Sequence, residues 1–291
     1  MAQIREIRKR IVAVGTIQRI TKTMQMIATA KFTTAVQRAK AAKPYSEKVK
    51  QLVGEVVAAA GDIQHPLING PSESPKRELL LIVSSDRGFC GAFNGHILRK
   101  SLEQVRKLKS SSTALDLETS GKKAVGFFEF QRVPISEKHS FGDKPDYEEI
   151  DRLAQRYVDE FTQGKYDAIR VVYMQFISNA KQMPQLMQLL PLQAAASSEA
   201  QTAAVKALYD YSPSSTEILD DLLPLTVKTA LYQAFLDASV SEQIMRMIAM
   251  KSATENASDV RKDLKRKYNR ARQAKITTEL MEVISGAAAL E

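Results

Sequence analysis

Residues 225–285 read LTVKTALYQAFLDASVSEQIMRMIAMKSATENASDVRKDLKRKYNRARQAKITTELMEVIS, without one glycine or proline. The whole chain of 291 residues holds 12 Gly and 10 Pro, so a stretch free of both is a signal. As a helix it spans roughly 90 Å at 1.5 Å per residue. A compact domain built from the residues between the two ends of the chain measures only ~40 Å across. Such a helix cannot bury its whole surface in its own domain, so something else must meet it. Upstream, Ser214 and Glu217 stand at capping-box spacing, and Pro224 is expected to kink the helix near Asp220. The other end of the chain repeats the pattern, since residues 1–53 contain only Gly15 and Pro44.

Both ends carry an apolar seam. Ile4, Ile7, Ile11, Val14, Ile17, Ile20, Met24 and Ile27 follow one another in steps of 3 and 4. That is coiled-coil spacing, and the three successive threes between Ile11 and Ile20 predict a stammer that overwinds the pair. Ala28, Phe32, Ala35, Ala39 and Ala42, then Val49, Leu52, Val53 and Val56, extend the seam to an end expected between Gly54 and Gly61. His65, Pro66, Pro71 and Pro75 mark a loop. In the C-terminal stretch, Leu231, Phe235, Ala238, Met245 and Ile248, then Leu264, Tyr268, Ala271, Leu280 and Val283, form the second seam. Two seams at opposite ends of one chain pair most simply with each other. The expected organisation is an N-terminal coiled-coil helix (1–57), a central α/β domain (58–208) and a C-terminal helix (209–291), joined as a long antiparallel coiled coil.

The middle alternates between strand and helix. Leu79–Val83 is a continuous aliphatic run of the kind buried on both faces of a sheet. Residues 94–109 read as a helix, while 114–118 and 124–130 are too short for periodicity to separate strand from helix. Asp146 and Glu149 suggest a capping box opening a helix to about Phe161. Ala168–Phe176 is a second strand, and Met183–Leu192 a third candidate interrupted by Pro184 and Pro191. Ser/Ala-rich 194–204 reads as a surface loop or short helix. The alternation implies a Rossmann-like α/β layer with a mainly parallel sheet.

Charge is unevenly placed. The net +9 matches the excess of residues 1–57, with 12 basic against 3 acidic side chains. A second concentration, Arg261, Lys262, Lys265, Arg266, Lys267, Arg270, Arg272 and Lys275, is opposed in that window only by Asp263. Basic helix faces suit acidic protein surfaces, lipid headgroups or nucleic acid. The single cysteine, Cys90, excludes an internal disulfide and a four-cysteine zinc site. The longest aliphatic run, five residues, is far short of a membrane span. The Arg-rich start resembles a transit peptide, but its pattern continues to about residue 57, too long for a segment meant to be removed.

Residues able to carry chemistry are few. His65, His96 and His139 lie in no nucleophile or metal-binding spacing, and Asp143, Asp146, Glu148, Glu149 and Asp151 suit an acidic helix start better than a metal site. No catalytic, cofactor or metal residue is expected. Ser84–Gly95 follows a buried strand and precedes a helix, where doubly wound folds bind ligands. Gly88, Gly91 and Gly95 match neither the phosphate-loop nor the dinucleotide pattern, so a tight turn with positive φ at glycine is the expected reading. Cys90 there reads as a buried filler rather than a nucleophile.

Five ordered motifs carry a resemblance. Ile20-Thr-Lys-Thr-Met-Gln-Met26 resembles the I-T-K-x-M-x-M signature of the F-type ATP synthase gamma subunit. Ser85-Asp-Arg-Gly-Phe-Cys-Gly-Ala-Phe-Asn94 resembles its S-D-R-G-L-C-G-x-x-N turn, with Phe in place of the usual Leu. Met247-Ile-Ala-Met-Lys-Ser-Ala-Thr-Glu-Asn256, Tyr268-Asn-Arg-Ala-Arg-Gln-Ala-Lys-Ile-Thr-Thr-Glu-Leu280 and Ile284-Ser-Gly-Ala-Ala-Ala289 resemble its C-terminal signatures. The resemblance spans essentially the whole chain.

It implies a non-catalytic rotor without a cofactor, which couples ion flow through the membrane sector to ATP synthesis or hydrolysis. The paired helices stand in a ring of alternating alpha and beta subunits. The α/β body meets the epsilon subunit and the c-ring on the cytoplasmic face of a bacterial plasma membrane, so membrane association is indirect. By motif position the implied beta-subunit contacts are Met24, Arg246, Arg272, Gln273, Thr277 and Glu279. Tyr209, Asp210 and Tyr211 lie where the family meets the c-ring and epsilon. Chloroplast members carry a dithiol loop, which a single cysteine cannot form. Two other readings remain open from the residues alone: a coiled-coil nucleic-acid-binding protein, and a nucleotide-dependent enzyme using the Gly88–Gly95 turn.

Overall fold

The structure, a computed structural model, describes residues 2–60, 65–70, 76–192 and 215–288. The elements in order are α1 (Ala2–Ala60), α2 (Pro66–Asn69), β1 (Arg77–Val83), α3 (Phe93–Ser110), β2 (Ala114–Ser120), α4 (Lys122–Phe130), β3 (Glu137–His139), α5 (Tyr147–Thr162), β4 (Ala168–Ser178), β5 (Lys181–Leu190) and α6 (Ser215–Ala288). The chain divides into two compact units, Lys31–Met245 and Met1–Ala30 with Arg246–Glu291.

In the Lys31–Met245 unit the sheet order is β3-β2-β1-β4-β5. β1 pairs in parallel with β2 and β4, and β2 with β3, while β5 runs antiparallel to β4 at the edge. The aliphatic run of β1 divides by parity. Leu79, Leu81 and Val83 join the core beneath α5 and α6, and Leu80 and Ile82 join the core with α3 and α4 residues. Helices on both faces make a strand buried on both sides, as its composition predicts. Pro184 sits opposite Met174 in β5, an edge strand, where a missing N–H is tolerated.

Several local expectations are corrected. Residues 114–120 form a strand and 122–130 a helix. The segment around His65 is a one-turn helix, in which the His65 ring accepts from the Leu67 N–H at 3.1 Å. Asp146 is the N-cap of α5, but its side chain makes no capping bond, so no capping box forms. α6 runs unbroken through Pro224. Leu52 is exposed rather than part of the seam. Ser214 and residues 194–204 lie outside the described residues.

In the second unit, α1 and α6 meet antiparallel. Thr254 Oγ1 donates to Thr21 Oγ1 at 2.8 Å, and an Arg261 Nη1 hydrogen donates to Gln18 Oε1 at 3.3 Å. The partly or fully covered positions of α1 are 4, 7, 11, 14, 18, 21, 25 and 28, with 15 and 24 beside them. Those of α6 include 250, 254, 257, 261, 264, 268, 271 and 275. Both sets alternate 3 and 4, so the heptad is regular and the expected stammer is absent. The difference lies in which residues face inward. Ile17, Ile20 and Ile27 are 52, 54 and 51% exposed, while Gln18, Thr21 and Gln25 take the seam. Hydrogen bonds to Thr254 and Arg261 make a polar seam tolerable here. Ile248, Leu280 and Val283 are likewise exposed.

Candidate functional site

The strand–helix turn after β1 is closed upon itself. Ser85 N–H donates to Asn94 Oδ1 at 3.1 Å, and Asn94 Nδ2 donates to Ser85 Oγ at 2.8 Å and to Cys90 Sγ at 3.2 Å. At the start of α4, Lys122 N–H donates to Asp86 Oδ1, Lys123 N–H to the Ser85 carbonyl and Ala124 N–H to Ser84 Oγ. These bonds fasten the turn to the start of α4. Gly91 has φ +59°, as a tight turn demands, but Gly88 and Gly95 do not, and Phe89 takes φ +62° instead. Gly121 is forced on other grounds, because a Cβ there would lie 2.3 Å from the Ser84 carbonyl oxygen. Cys90 is a buried free thiol.

The crevice beyond the parallel strands is also taken. β1 pairs with β4 only as far as Val172, leaving the Met174–Phe176 edge of β4 without a strand on that side among the described residues. α6 covers it. Ser241 Oγ donates to the Met174 carbonyl at 3.3 Å. A doubly wound fold that keeps its switch point for a ligand leaves this crevice open.

One titratable cluster was not legible in the sequence. Glu118 Oε2 accepts from the Tyr157 hydroxyl at 2.7 Å and Arg156 Nη2 at 2.6 Å, and lies 2.9 Å from His139 Nε2. Burial alone would push the Glu118 carboxyl up. Hydrogen bonds from His139 and Tyr157 and the Arg156 charge outweigh it, so its pKa lies below the ordinary carboxylate value. Glu118, Glu137 and His139 are close enough to hold a metal ion. The cation present is Arg156, which pairs with both carboxylates. An arginine is always charged and cannot yield that place by deprotonation. The cluster therefore ties the short strand β3 to α5 as an internal ion-pair network.

The acidic group beside it is spent on packing. Asp143 pairs with Lys31 at 2.5 Å and Asp151 with Lys228 at 3.2 Å, while Glu148 and Glu149 occupy the first turn of α5.

The surface of the Met1–Ala30 and Arg246–Glu291 unit is what stands out. Met24 is half-buried and lines a shallow groove with Thr16, Arg19, Ile20 and Thr23. Arg272, Gln273, Thr277 and Glu279 are exposed. Thr277 Oγ1 donates to the Gln273 carbonyl at 3.0 Å, and Glu279 pairs with Lys275 at 3.1 Å. Lys262 and Arg266 have intrahelical partners in Asp259 and Asp263. Lys265, Lys267, Arg270 and Arg272 have no ion-pair partner among the described residues. Arg246 is only 8% exposed, unlike the other basic candidates. Tyr209, Asp210 and Tyr211 lie outside the described residues.

Past Lys275 every residue through Gly286 is exposed, among them Ile276, Leu280, Met281, Val283 and Ile284. On α1, Val12, Ile17, Ile20 and Ile27 face outward as well. Apolar side chains turned outward along both helices, with the cations of α6 just before its apolar stretch, describe a surface suited to a partner. The isoleucines were visible in the sequence, but their direction was not.

Comparison with known proteins agrees. A family model described as ATP synthase matches residues 3–290. The ATP synthase gamma chain of Rhodopirellula baltica is 39% identical over 297 residues, covering all of both chains, and that of Pelotomaculum thermopropionicum is 35% identical over 292 residues with the same coverage. Among solved structures, a chain of the Euglena gracilis mitochondrial ATP synthase aligns over 99% of this chain and 95% of its own, with a TM-score of 0.68 and 17% identity. A chain of the Tetrahymena thermophila mitochondrial ATP synthase central stalk and c-ring structure covers 80% of this chain and 99% of its own, with a TM-score of 0.58 and 23% identity. These two likenesses speak to the fold, and the whole-length relatives to descent. The chain belongs to the ATP synthase gamma chain family.

Proposed function

We propose that this chain is the central-stalk rotor of an F-type ATP synthase, a non-catalytic subunit that couples ion flow through the membrane sector to ATP synthesis or hydrolysis in its partners. The observation that carries the reading is the outward apolar face of α1 and of α6 beyond Lys275. Such a face needs a sleeve, and a ring of alternating alpha and beta subunits supplies one. Contacts that differ from one side of the shaft to another bias each surrounding cleft toward a different state. The beta-subunit contacts are Arg272, Gln273, Thr277, Glu279 and the groove at Met24. Arg246 belongs to the set by motif position, and its burial supports a role in shaping the helix face rather than in direct pairing. Tyr209, Asp210 and Tyr211 are assigned to the c-ring and epsilon subunit. No helix among the described residues is long and apolar enough to cross a membrane, and attachment through the c-ring, on the cytoplasmic face of a bacterial plasma membrane, is the proposed arrangement.

The glycine spacing of the turn, which matches neither nucleotide-binding pattern, and the placing of Ser241 of α6 on the β4 edge argue against the nucleotide-dependent enzyme. Tyr268, the one aromatic residue among the cations of 261–275, is half-buried in the seam, so no aromatic stacking platform stands beside them, which disfavours nucleic acid. Reconstitution tests the reading. Alone, the chain is expected to show no ATP hydrolysis and no calorimetric ATP binding at micromolar concentration. Added to alpha and beta subunits, epsilon and the membrane sector, it is expected to restore ATP-driven ion pumping. Micromolar nucleotide binding by the chain alone, or pumping that is indifferent to its presence, overturns the proposal.

A further inference from the structure

After Val14, α1 has two ways to continue its seam. Ile17, Ile20, Met24 and Ile27 follow in steps of 3, 4 and 3, but reaching them from Ile11 and Val14 takes successive threes and an overwound stretch. Gln18, Thr21, Gln25 and Ala28 instead continue the regular alternation of Ile4, Ile7, Ile11 and Val14. Apolar burial alone favours the first route. The structure takes the second and leaves Ile17, Ile20 and Ile27 exposed. Where the routes diverge, two side-chain bonds join the helices, Arg261 to Gln18 and Thr254 to Thr21. The two threonine hydroxyls also lie within reach of backbone carbonyls of their own helices, those of Gln18 and Met250, so the weight rests on Arg261. Arg261 is a costly residue in a seam. It has no ion-pair partner among the described residues, and its Nε is buried without a hydrogen-bond partner. Its guanidinium lies over Gly15, where a Cβ would stand 3.7 Å from both Nε and Cζ. A side chain larger than alanine at that position would crowd it.

We propose that Arg261 and Gln18, supported by Thr254 and Thr21, are positioning residues that select the phase of α1 against α6 and so decide which face of α1 is offered to a partner. Turning α1 to seat Ile17 and Ile20 would set Arg261 against aliphatic side chains and take away its bond to Gln18. A covered donor left without an acceptor costs more than one hydrogen bond contributes. Polar matching thus outweighs the larger apolar area of the other route. A single polar layer in an apolar coiled coil fixes register in the same way, at a cost in stability. Gly15 completes the set by leaving room for the guanidinium in this phase. The isoleucines are then held outward by the chain itself, before any partner arrives. The inference goes beyond the rotor reading and holds for whichever partner covers that face.

The test reads the phase in the full chain, in a Cys90→Ser background, by maleimide labelling of one reporter cysteine, Gln25→Cys or Ile27→Cys. In the parent, position 27 is expected to label several-fold faster than position 25, because Ile27 is exposed and Gln25 half-buried. Changing only α6, with Thr254→Val and Arg261→Leu, is expected to invert that ratio as the isoleucines turn inward. Adding Gln18→Leu and Thr21→Val gives the regular seam an apolar match on both helices and is expected to restore the parent order. A merely weakened helix pair would speed labelling at both positions without inverting them. A ratio that does not invert in the α6 variant shows that Ile4 to Val14 fix the phase unaided and overturns the proposal, as does a four-site variant that stays inverted. If circular dichroism shows that the α6 variant has lost its helix, thermal melting of Gln18→Leu, Arg261→Leu and the two combined decides. A combined loss smaller than the sum of the single losses supports the selection, and an additive loss overturns it.

Discussion

Replacing Arg272 and Gln273 together with leucine is expected to lower ATP turnover of the assembled complex by roughly tenfold or more, with the subunit still folded. Both side chains are exposed and off the seam, which runs through Tyr268, Ala271 and Lys275. Their loss therefore removes nothing that holds α1 against α6. Arg272 has no ion-pair partner among the described residues, so its forked donors are available to carboxylates or carbonyls of a surrounding subunit. Loss of one such contact in a desolvated interface costs ~2–5 kcal/mol, and ~1.4 kcal/mol is already tenfold. ATPase rate and ATP-driven pumping in reconstituted complex give the readout, with circular dichroism of the free subunit as control. Normal turnover in a correctly assembled double variant would mean that these two residues are bystanders and that shape alone transmits force.

The largest loss of stability is expected from Glu118→Ala. Its carboxylate oxygen serves Arg156, Tyr157 and His139 together. Truncation leaves a partly buried guanidinium and a fully buried hydroxyl without that acceptor. Breaking one side of a buried pair costs about 3–5 kcal/mol. The folded carboxyl lies below its ordinary value, so its contribution is present above the unfolded carboxylate range and is lost as pH falls through the folded value. Chemical denaturation at pH 7 and pH 4 checks both points. The penalty should shrink at the lower pH, and Glu118→Gln should cost less than Ala at neutral pH. A loss below about 1 kcal/mol at pH 7 would show that Arg156 is adequately held by Glu137 alone.

Much of the fold was legible because its long elements announce themselves. A stretch from Leu225 to Ser285 without Gly or Pro can hardly be anything but helix, and the aliphatic runs of β1 and β4 are strands of a covered sheet. β3 was not legible, since three residues are too few for alternation to register. With it went the Glu118–Arg156 network, whose members come from β2, β3 and α5 and meet only in three dimensions. The phase of the coiled coil was misread for a more instructive reason. Ile17, Ile20 and Ile27 were assigned inward because apolar residues normally face their own partner helix. Here Gln18, Thr21 and Gln25 do so, and the isoleucines point away. An apolar residue in the sequence asks for burial without saying by whom, and the outward isoleucines await a surface from another chain. The exposed stretch from Ile276 to Ile284 follows the same logic. In the turn after β1, a positive φ at glycine is met at Gly91, while Phe89 takes a second left-handed position that no glycine marked, with its ring turned to solvent.

The central claim is that this chain turns inside its partners as they hydrolyse ATP. The most direct measurement attaches a visible probe to Lys109→Cys, an exposed position in the last turn of α3, in a Cys90→Ser background, with the alpha and beta subunits fixed to a surface. On addition of ATP the probe is predicted to rotate continuously in one direction, at a speed that falls as ATP is diluted. A probe that only fluctuates about one orientation while the same complexes hydrolyse ATP at the normal rate would contradict the account.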